Sequence, residues 1–361
     1  MTTQLTCTIL VDDIAREIAH AFDYTFDGTS TFTVPRCTPP AAWALGVIVG
    51  PSGSGKTSLL RQFGHEAPVA WHAELAIASH FRSARDAQER LGAVGLNSIP
   101  AWLRPYHALS TGEQFRADLA RRLCTGAAID EFTSVVDRTV AMSASVAMRR
   151  YIDRAGLRQV VVATCHRDVL PWLNPDWTFD TADSRMTVGR SERPSIAIDI
   201  LPCHHTEWPR FSTHHYLNTT LNTSARCWLA YWDNTPIGFS ATLPFPHGTI
   251  KGAWREHRTV VLPDYQGLGI GPRLSDAIAQ LHLDQGHRYF SKTAHPRLGA
   301  YREASPKWRP TAKNRKQRRD YAHGSTNPYR WKTTDADSKE ATTRDRHATR
   351  TCYAHEYIGQ A

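Results

Sequence analysis

The chain has 361 residues, 41% of them apolar, and a formal charge of +9. That length calls for two domains rather than one, and that apolar content is enough to fill two full-sized cores. The positive excess points toward polyanionic partners, nucleic acid first, while no apolar run approaches the ~18 residues that span a bilayer, so no membrane partner is expected.

The N-terminus shows no basic segment followed by an apolar one, as a secretory leader would. The first clear element is Trp43-Ala44-Leu45-Gly46-Val47-Ile48-Val49, a buried-strand pattern. It runs into Gly50-Pro51-Ser52-Gly53-Ser54-Gly55-Lys56-Thr57, and Ser58 to Phe63 opens the helix behind it. Strand, G-x-x-x-x-G-K-[ST] loop and helix together make a phosphate cradle. Glycines let backbone N–H groups curl around the anion, and the helix N-terminus adds its dipole. Lys56 is expected to reach the β/γ phosphates and Thr57 to hold Mg²⁺. Tyr24, Phe26 and Phe32 are candidates to stack on adenine, each equally suited to a core.

Further on come Leu109-Ser110-Thr111-Gly112-Glu113-Gln114, then the short strand Ala127–Ile129 ending at Asp130 and Glu131, then Asp137. Asp130 is placed to complete the Mg²⁺ shell and Glu131 to polarise an attacking water. Val160 to Cys165 reads as another buried strand, and His166 follows it.

In this order the motifs resemble the ABC-type ATPases. The resemblance implies that His166 contacts the γ-phosphate. It implies that Ser110, Gly112 and Glu113 form the signature loop that caps the nucleotide of a second subunit, with Asp137 at the seam. A head-to-tail dimer closed by ATP is therefore expected. Two departures stand out. Ser110 follows Thr57 by only 53 positions, which leaves a small helical subdomain, and the glutamine expected between the two motifs is not evident. Both favour a soluble ATPase in which ATP controls dimerisation or timing, over a transporter subunit.

Residues 181–195 are polar and interrupted, which puts a boundary near 190. The expected domains are 1–190 and 191–361. Ser195–Ile200 alternates as a new first strand. Cys227–Trp232 and Ile237–Leu243 are strands around the turn Asp233-Asn234-Thr235-Pro236. Arg258–Leu262 is another strand. After it come Gln266-Gly267-Leu268-Gly269-Ile270-Gly271 and a helix to about Leu283. This resembles motif A of the GNAT acyltransferases, whose loop and helix start bind the pyrophosphate of acyl-CoA. A dinucleotide loop looks similar, but no acidic residue closes a βαβ unit in that manner. The fold class is therefore α/β: a P-loop ABC-type ATPase domain followed by a GNAT-like α+β acyltransferase domain. In GNAT enzymes a tyrosine on the helix after the next strand often protonates the leaving thiolate. Tyr301 matches that place, as does the alternative of an aromatic packed on the sheet.

The acceptor side centres on Trp208–Leu217, with His204, His205, His214 and His215 within twelve residues. Histidines there act as base, bind metal, or do neither. The His-His-Tyr-Leu, Ser-x-x-x-His-Pro and Tyr-Arg strings resemble the Mom-type DNA-modification proteins of phages. These are GNAT-fold proteins that convert adenine to an N6-carbamoylmethyl form. The resemblance covers about residues 196–361 and places the family's His-Tyr pair at His215 and Tyr216. Lys307, Arg309, Lys313, Arg315, Lys316, Arg318 and Arg319 crowd into thirteen positions within a basic insertion, 305–345. Such a run neutralises phosphates, and Trp308, Tyr321, Tyr329 and Trp331 are candidates to stack on a flipped base. A solvated basic loop, or a patch for the 3′-phosphate of CoA, explains the same run. Thr351–Gly359 alternates as a closing strand.

His72-Ala73-Glu74 mimics the H-x-E of zinc deaminases, but no P-C-x-x-C follows. The seven cysteines are scattered and odd in number, which fits a reducing cytosol rather than a disulfide framework. The expected partners are ATP, Mg²⁺, acyl-CoA, a second copy of the chain, and DNA. The rival readings are an N-acetyltransferase acting on protein or small-molecule amines, and a non-enzymatic ATP-switched DNA-binding protein.

Overall fold

A computed structural model describes residues 4–64, 68–215, 220–319 and 349–359, without the side chains of 317–319, 349 and 350. The chain divides into two compact units. One is Met1–Ser195 with Pro263–Leu268; the other is Ile196–Leu262 with Gly269–Ala361.

The first unit opens with β1 (Gln4–Thr8), α1 (Asp13–Ala21) and β2 (Thr29–Thr33), where β1 and β2 form an antiparallel pair. Next comes β3 (Leu45–Val49), five buried residues. Its four large aliphatic side chains contribute about 1.5–3 kcal/mol each on burial. Gly46 is required in this strand, because a Cβ there would fall 2.0 Å from the Trp177 ring. The helix α2 (Lys56–Leu60) is shorter than the expected Ser58–Phe63 run. The helical part holds α3 (Ala84–Ala93), α4 (Ile99–Trp102) and α5 (Thr111–Arg122). Then follow β4 (Ala128–Ile129), α6 (Arg138–Ala155), β5 (Val160–Thr164), α7 (Leu170–Leu173), β6 (Trp177–Asp180) and β7 (Arg185–Val188). Asp137 caps α6 by accepting from Thr139 N and Val140 N, and Gly156 ends it in the left-handed conformation.

The sheet order is β4-β5-β3-β6-β7. The first four are parallel and β7 is antiparallel. Parallel strands buried on both faces read as continuous apolar runs, which is why β3 and β5 were visible in the sequence. The consequence for function is direct. The carboxyl ends of β4, β5 and β3 are neighbours, and ligands of open α/β sheets bind outside such ends.

The second unit contains β8 (Asp199–Cys203), α8 (Pro209–Ser212), β9 (Arg226–Trp232), β10 (Thr235–Pro244), β11 (Ala253–Val261) and α9 (Ile270–Asp284). It continues with β12 (Arg288–Thr293), α10 (Pro296–Ala304), β13 (Trp308–Pro310), β14 (Lys316–Arg319) and β15 (Thr349–Tyr357). The sheet order is β13-β15-β12-β11-β10-β9-β8, with β14 also on β15. The first strand lies at Asp199–Cys203, later than the alternation at Ser195–Ile200 suggested. It is an edge strand whose pairing with β9, Cys203 opposite Cys227, fixes its place.

One junction shapes the second unit. The pair β11–β12 is parallel and bonded only from Ala253/Arg288 to Arg255/Phe290. Beyond it both strands continue, β11 to Val261 on β10 and β12 to Thr293 on β15, without a ladder between them. The sheet opens as a wedge whose apex is Glu256 on one side and Ser291 on the other.

Candidate functional sites

In the first unit the loop after β3, the turn after β4 and the end of β5 meet at one sheet edge. Gly53 and Gly55 adopt left-handed φ values of +76° and +85°, and a Cβ on Gly53 would meet nothing within 4 Å. That open space beside a left-handed glycine is the cradle a phosphate needs. Lys56 Nζ donates to Pro51 O at 2.7 Å, within its own loop. Ser54 Oγ lies 2.5 Å from Thr181 Oγ1. Gly55 caps α2, and a Cβ there would lie 2.5 Å from the Phe32 ring. Phe32 is thus the aromatic placed against the phosphate loop, whereas Tyr24 and Phe26 stack on each other. A cleft lined by Leu5, Val34, Ser58, Arg61 and Gln62 lies on this side.

Asp130 Oδ1 accepts from Glu131 N at 2.8 Å, and Glu131 sits at φ +46°. A glutamate in that region stores strain of about 1–3 kcal/mol, a cost that surrounding structure must hold in place. It does so here. Phe132 N donates to Ala163 O, Thr164 Oγ1 donates to Phe132 O, and His166 N donates to Thr164 Oγ1. Thr133 Oγ1 lies 3.1 Å from His166 Nδ1. These bonds tie the turn bearing Asp130 and Glu131 to the strand end bearing His166. Burial, reinforced by Arg138 and opposed by Asp168, pushes His166 below its ordinary value. Thr57 and Asp130 offer the hard oxygen donors that a magnesium ion takes.

The signature-like loop starts α5. Ser110 and Glu113 form a complete capping box, and Gly112 is tight against Val140 of α6, where a Cβ would lie 3.3 Å from the valine. The two helix starts that carry Ser110 and Asp137 are therefore packed on each other through Gly112.

The second unit resumes at Gly269, which adopts φ +79° and caps the start of α9; Gly267, at φ +95°, lies in the stretch Pro263–Leu268 that is grouped with the first unit. Gln266 and Leu268 lie in that stretch, and Ile270 and Gly271 open the helix. Across the wedge, Glu256 Oε2 accepts from Arg302 Nη2 at 2.6 Å and from Ser291 Oγ. Arg302, fully buried, also donates to Ser275 Oγ at 2.8 Å and lies over the Trp308 ring. Burial alone would raise the Glu256 carboxyl. Arg302 and the hydroxyls of Ser291 and Thr259 outweigh it and hold it below the usual carboxylate range. Tyr301, on α10, donates to Asp276 Oδ2 at 2.5 Å. Trp308 Nε1 donates to Asp276 Oδ1 at 2.8 Å. Burial first and then Asp276 push the Tyr301 phenol up.

Several expectations change. Trp308, a candidate to stack on a base, is 4% exposed and engaged by Arg302 and Asp276. The basic run is partly neutralised: Arg309 pairs with Glu356 and Arg315 with Glu303. Among the described residues Trp208–His215 the α-helical segment is a single turn, Pro209–Ser212. His204 and His205 pack ring to ring, and His215 meets Trp208 edge-on at 5.8 Å. Burial, then Arg258 and His257, lower His215 to about 4, so it is neutral at physiological pH. Among the described residues no group of three or more His, Cys, Asp or Glu is placed to hold a metal. Tyr216, Tyr321, Tyr329 and Trp331 lie outside the described residues.

Asp276, Glu256 and Thr133 were missed at the sequence level. Asp276 left a signal: it is the acid within the otherwise apolar and neutral or basic run Ile270–Leu283. Glu256 and Thr133 left none, since their partners are distant in the chain.

Residues 193–303 match the model of the Acetyltransferase (GNAT) family. The splayed strands and the glycine-capped helix fall within that span. A comparison with curated proteins finds no match. Among solved structures, the chain is similar to a GNAT family acetyltransferase from Elizabethkingia anophelis with acetyl-CoA bound. The identity is 15%, the TM-score 0.29, and the match covers 45% of this chain and 98% of that one. It is similar to MJ0796, a bacterial ABC transporter cassette solved as a dimer, at 17% identity and TM-score 0.34, over 45% and 93%. It is also similar to the ribosomal-protein-S18-alanine N-acetyltransferase of Escherichia coli, at 14% and 0.30, over 46% and 96%. Among the described residues no helix is long and apolar enough to cross a membrane.

Proposed function

We propose that the chain couples an ATP-binding and hydrolysing module to a transferase that moves an acyl-type group from a coenzyme A donor onto a nucleic-acid base, with the adenine amine in DNA as acceptor. The observation that carries the transferase reading is the wedge between β11 and β12 beside the glycine-capped α9. A helix start capped by a left-handed glycine binds a pyrophosphate, and an opened parallel pair leaves unladdered backbone on its facing edges for the arm that follows. The match of residues 193–303 supports the same class.

In the ATPase module Lys56 binds the terminal phosphates, Thr57 and Asp130 hold Mg²⁺, and Glu131 orients water. The metal, when bound, neutralises charge on the transferring phosphoryl group. His166, held by Thr133, contacts the γ-phosphate, and Ser110, Gly112 and Glu113 cap the nucleotide of a second copy. In the transferase module the acceptor nitrogen attacks the donor carbonyl, and the sulfur leaves with a proton. His215 and Tyr216 orient the base. DNA as acceptor is supported by the net charge of +9 and by Lys307, Lys313 and Lys316 beyond the paired arginines.

The test is expression in a bacterial host, digestion of host DNA to nucleosides and mass spectrometry. An adenosine of increased mass that disappears in Tyr216→Phe is expected. Unmodified DNA from a folded, ATP-competent protein would move the acceptor to a protein or small-molecule amine.

A further inference from the structure

Asp276 lies on the buried side of α9 with Leu274, Ser275, Ile278, Ala279 and His282, and is itself 8% exposed. Both of its carboxylate oxygens are committed, Oδ1 to Trp308 Nε1 and Oδ2 to the Tyr301 hydroxyl. A buried acid that spends one oxygen on an indole anchor and the other on a phenol has a fixed position from which to aim that phenol.

We propose that Asp276 is a positioning residue for acyl transfer, aiming the Tyr301 hydroxyl and keeping the proton on it until the sulfur leaves. The proposal rests on the transferase reading of the second unit. The groups that act on Tyr301 are Asp276 and Arg273 from α9 and Tyr357 from β15, and Tyr357 donates in turn to Gln280 at 3.1 Å. Glu256 pairs with Arg302, which also donates to Ser275 Oγ and lies over the Trp308 ring.

In the step itself the carbon–nitrogen bond forms and the carbon–sulfur bond breaks. The Tyr301 O–H, which donates to Asp276 Oδ2 at rest, turns to the sulfur, and the sulfur takes its proton. The proton shed by the acceptor nitrogen passes to solvent, and solvent restores one to Tyr301. Asp276 makes that restoration prompt, because a phenolate beside a carboxylate is repelled. The price is a weaker acid in the resting state.

The test compares the full-length protein with Asp276→Asn and Tyr301→Phe, using acetyl-CoA as donor. Asparagine keeps an oxygen for Trp308 and removes the charge. Wild-type transfer is expected to show no alkaline limb up to about pH 10.5. Asp276→Asn should acquire one with a midpoint near the ordinary phenol value of about 10. Tyr301→Phe should lose about 100-fold in kcat with the acetyl-CoA KM unchanged. Tyrosinate absorbance gives a readout independent of turnover: one tyrosine should begin to titrate at lower pH in Asp276→Asn. An unchanged pH profile in Asp276→Asn overturns the proposal, whether or not the absorbance moves. Absence of transfer by the wild type from any acyl-CoA strikes the transferase reading beneath it instead.

Discussion

At the residue scale, the proposed ATP site is held by bonds that no motif contains. Thr133 and Thr164 join the Glu131 turn to His166, and both are fully buried. Thr133→Val removes the hydroxyl and keeps the shape. We expect ATP turnover to fall about tenfold, equivalent to ~1.4 kcal/mol of barrier, with thermal stability reduced by no more than ~1 kcal/mol. Steady-state ATPase assays and a melt measure both. Unchanged turnover would mean that His166 needs no such hold. The contrast with the sequence reading is plain here. Lys56, Asp130, Glu131 and His166 were legible as candidates because each follows a strand pattern at a fixed offset. Thr133 and Glu256 were not, because their meaning lies in partners that only folding brings close. Trp308 misled for the same reason: within a run of seven basic residues it reads as a surface aromatic, yet Arg302 and Asp276 draw it inside.

At the scale of elements, legibility followed burial. The fully buried strands β3 and β5 and the hairpin β9–β10 announced themselves by runs and a turn. The edge strand β8 did not, since its register depends on β9 alone. The start of α5 offers a prediction. Ser110 caps it reciprocally with Glu113, so Ser110→Ala should cost about 1 kcal/mol in unfolding free energy. Gly112→Ala is expected to act differently. It presses a methyl on Val140, with little effect on a single copy's fold but a shifted helix start at the proposed nucleotide seam. The two should separate in experiment. Ser110→Ala lowers the melting temperature, and Gly112→Ala lowers ATP turnover more than it lowers the melt.

At the scale of the whole molecule, charge sets how stability depends on pH. His282 is 1% exposed, and burial, then Arg226 and His287, lower it from 6.5 to about 4. Its folded-state value lies below the unfolded one, so the unfolded chain binds the extra proton first. The stability it supports is complete above about pH 6.5 and is lost as pH falls toward 4, by ~1.4 kcal/mol per unit. His295 is lowered to about 4 as well, mainly by burial. We therefore expect the melt of the second unit to fall between pH 6.5 and 5, and His282→Gln to flatten that slope. A melt independent of pH in this window would contradict the assignment. Assembly offers a second whole-molecule prediction. Glu131→Gln should trap an ATP-bound dimer by light scattering; a variant that stays monomeric with ATP would contradict the sandwich reading.

The most direct measurement of the central claim is release of the coenzyme A thiol by the purified full-length protein given acetyl-CoA and duplex DNA, with and without ATP, beside the Lys56→Ala variant. The account predicts thiol release that requires DNA and is raised by ATP in the wild type, with no ATP response in Lys56→Ala. Thiol release that ignores both DNA and ATP, or no release from any acyl-CoA, would contradict it.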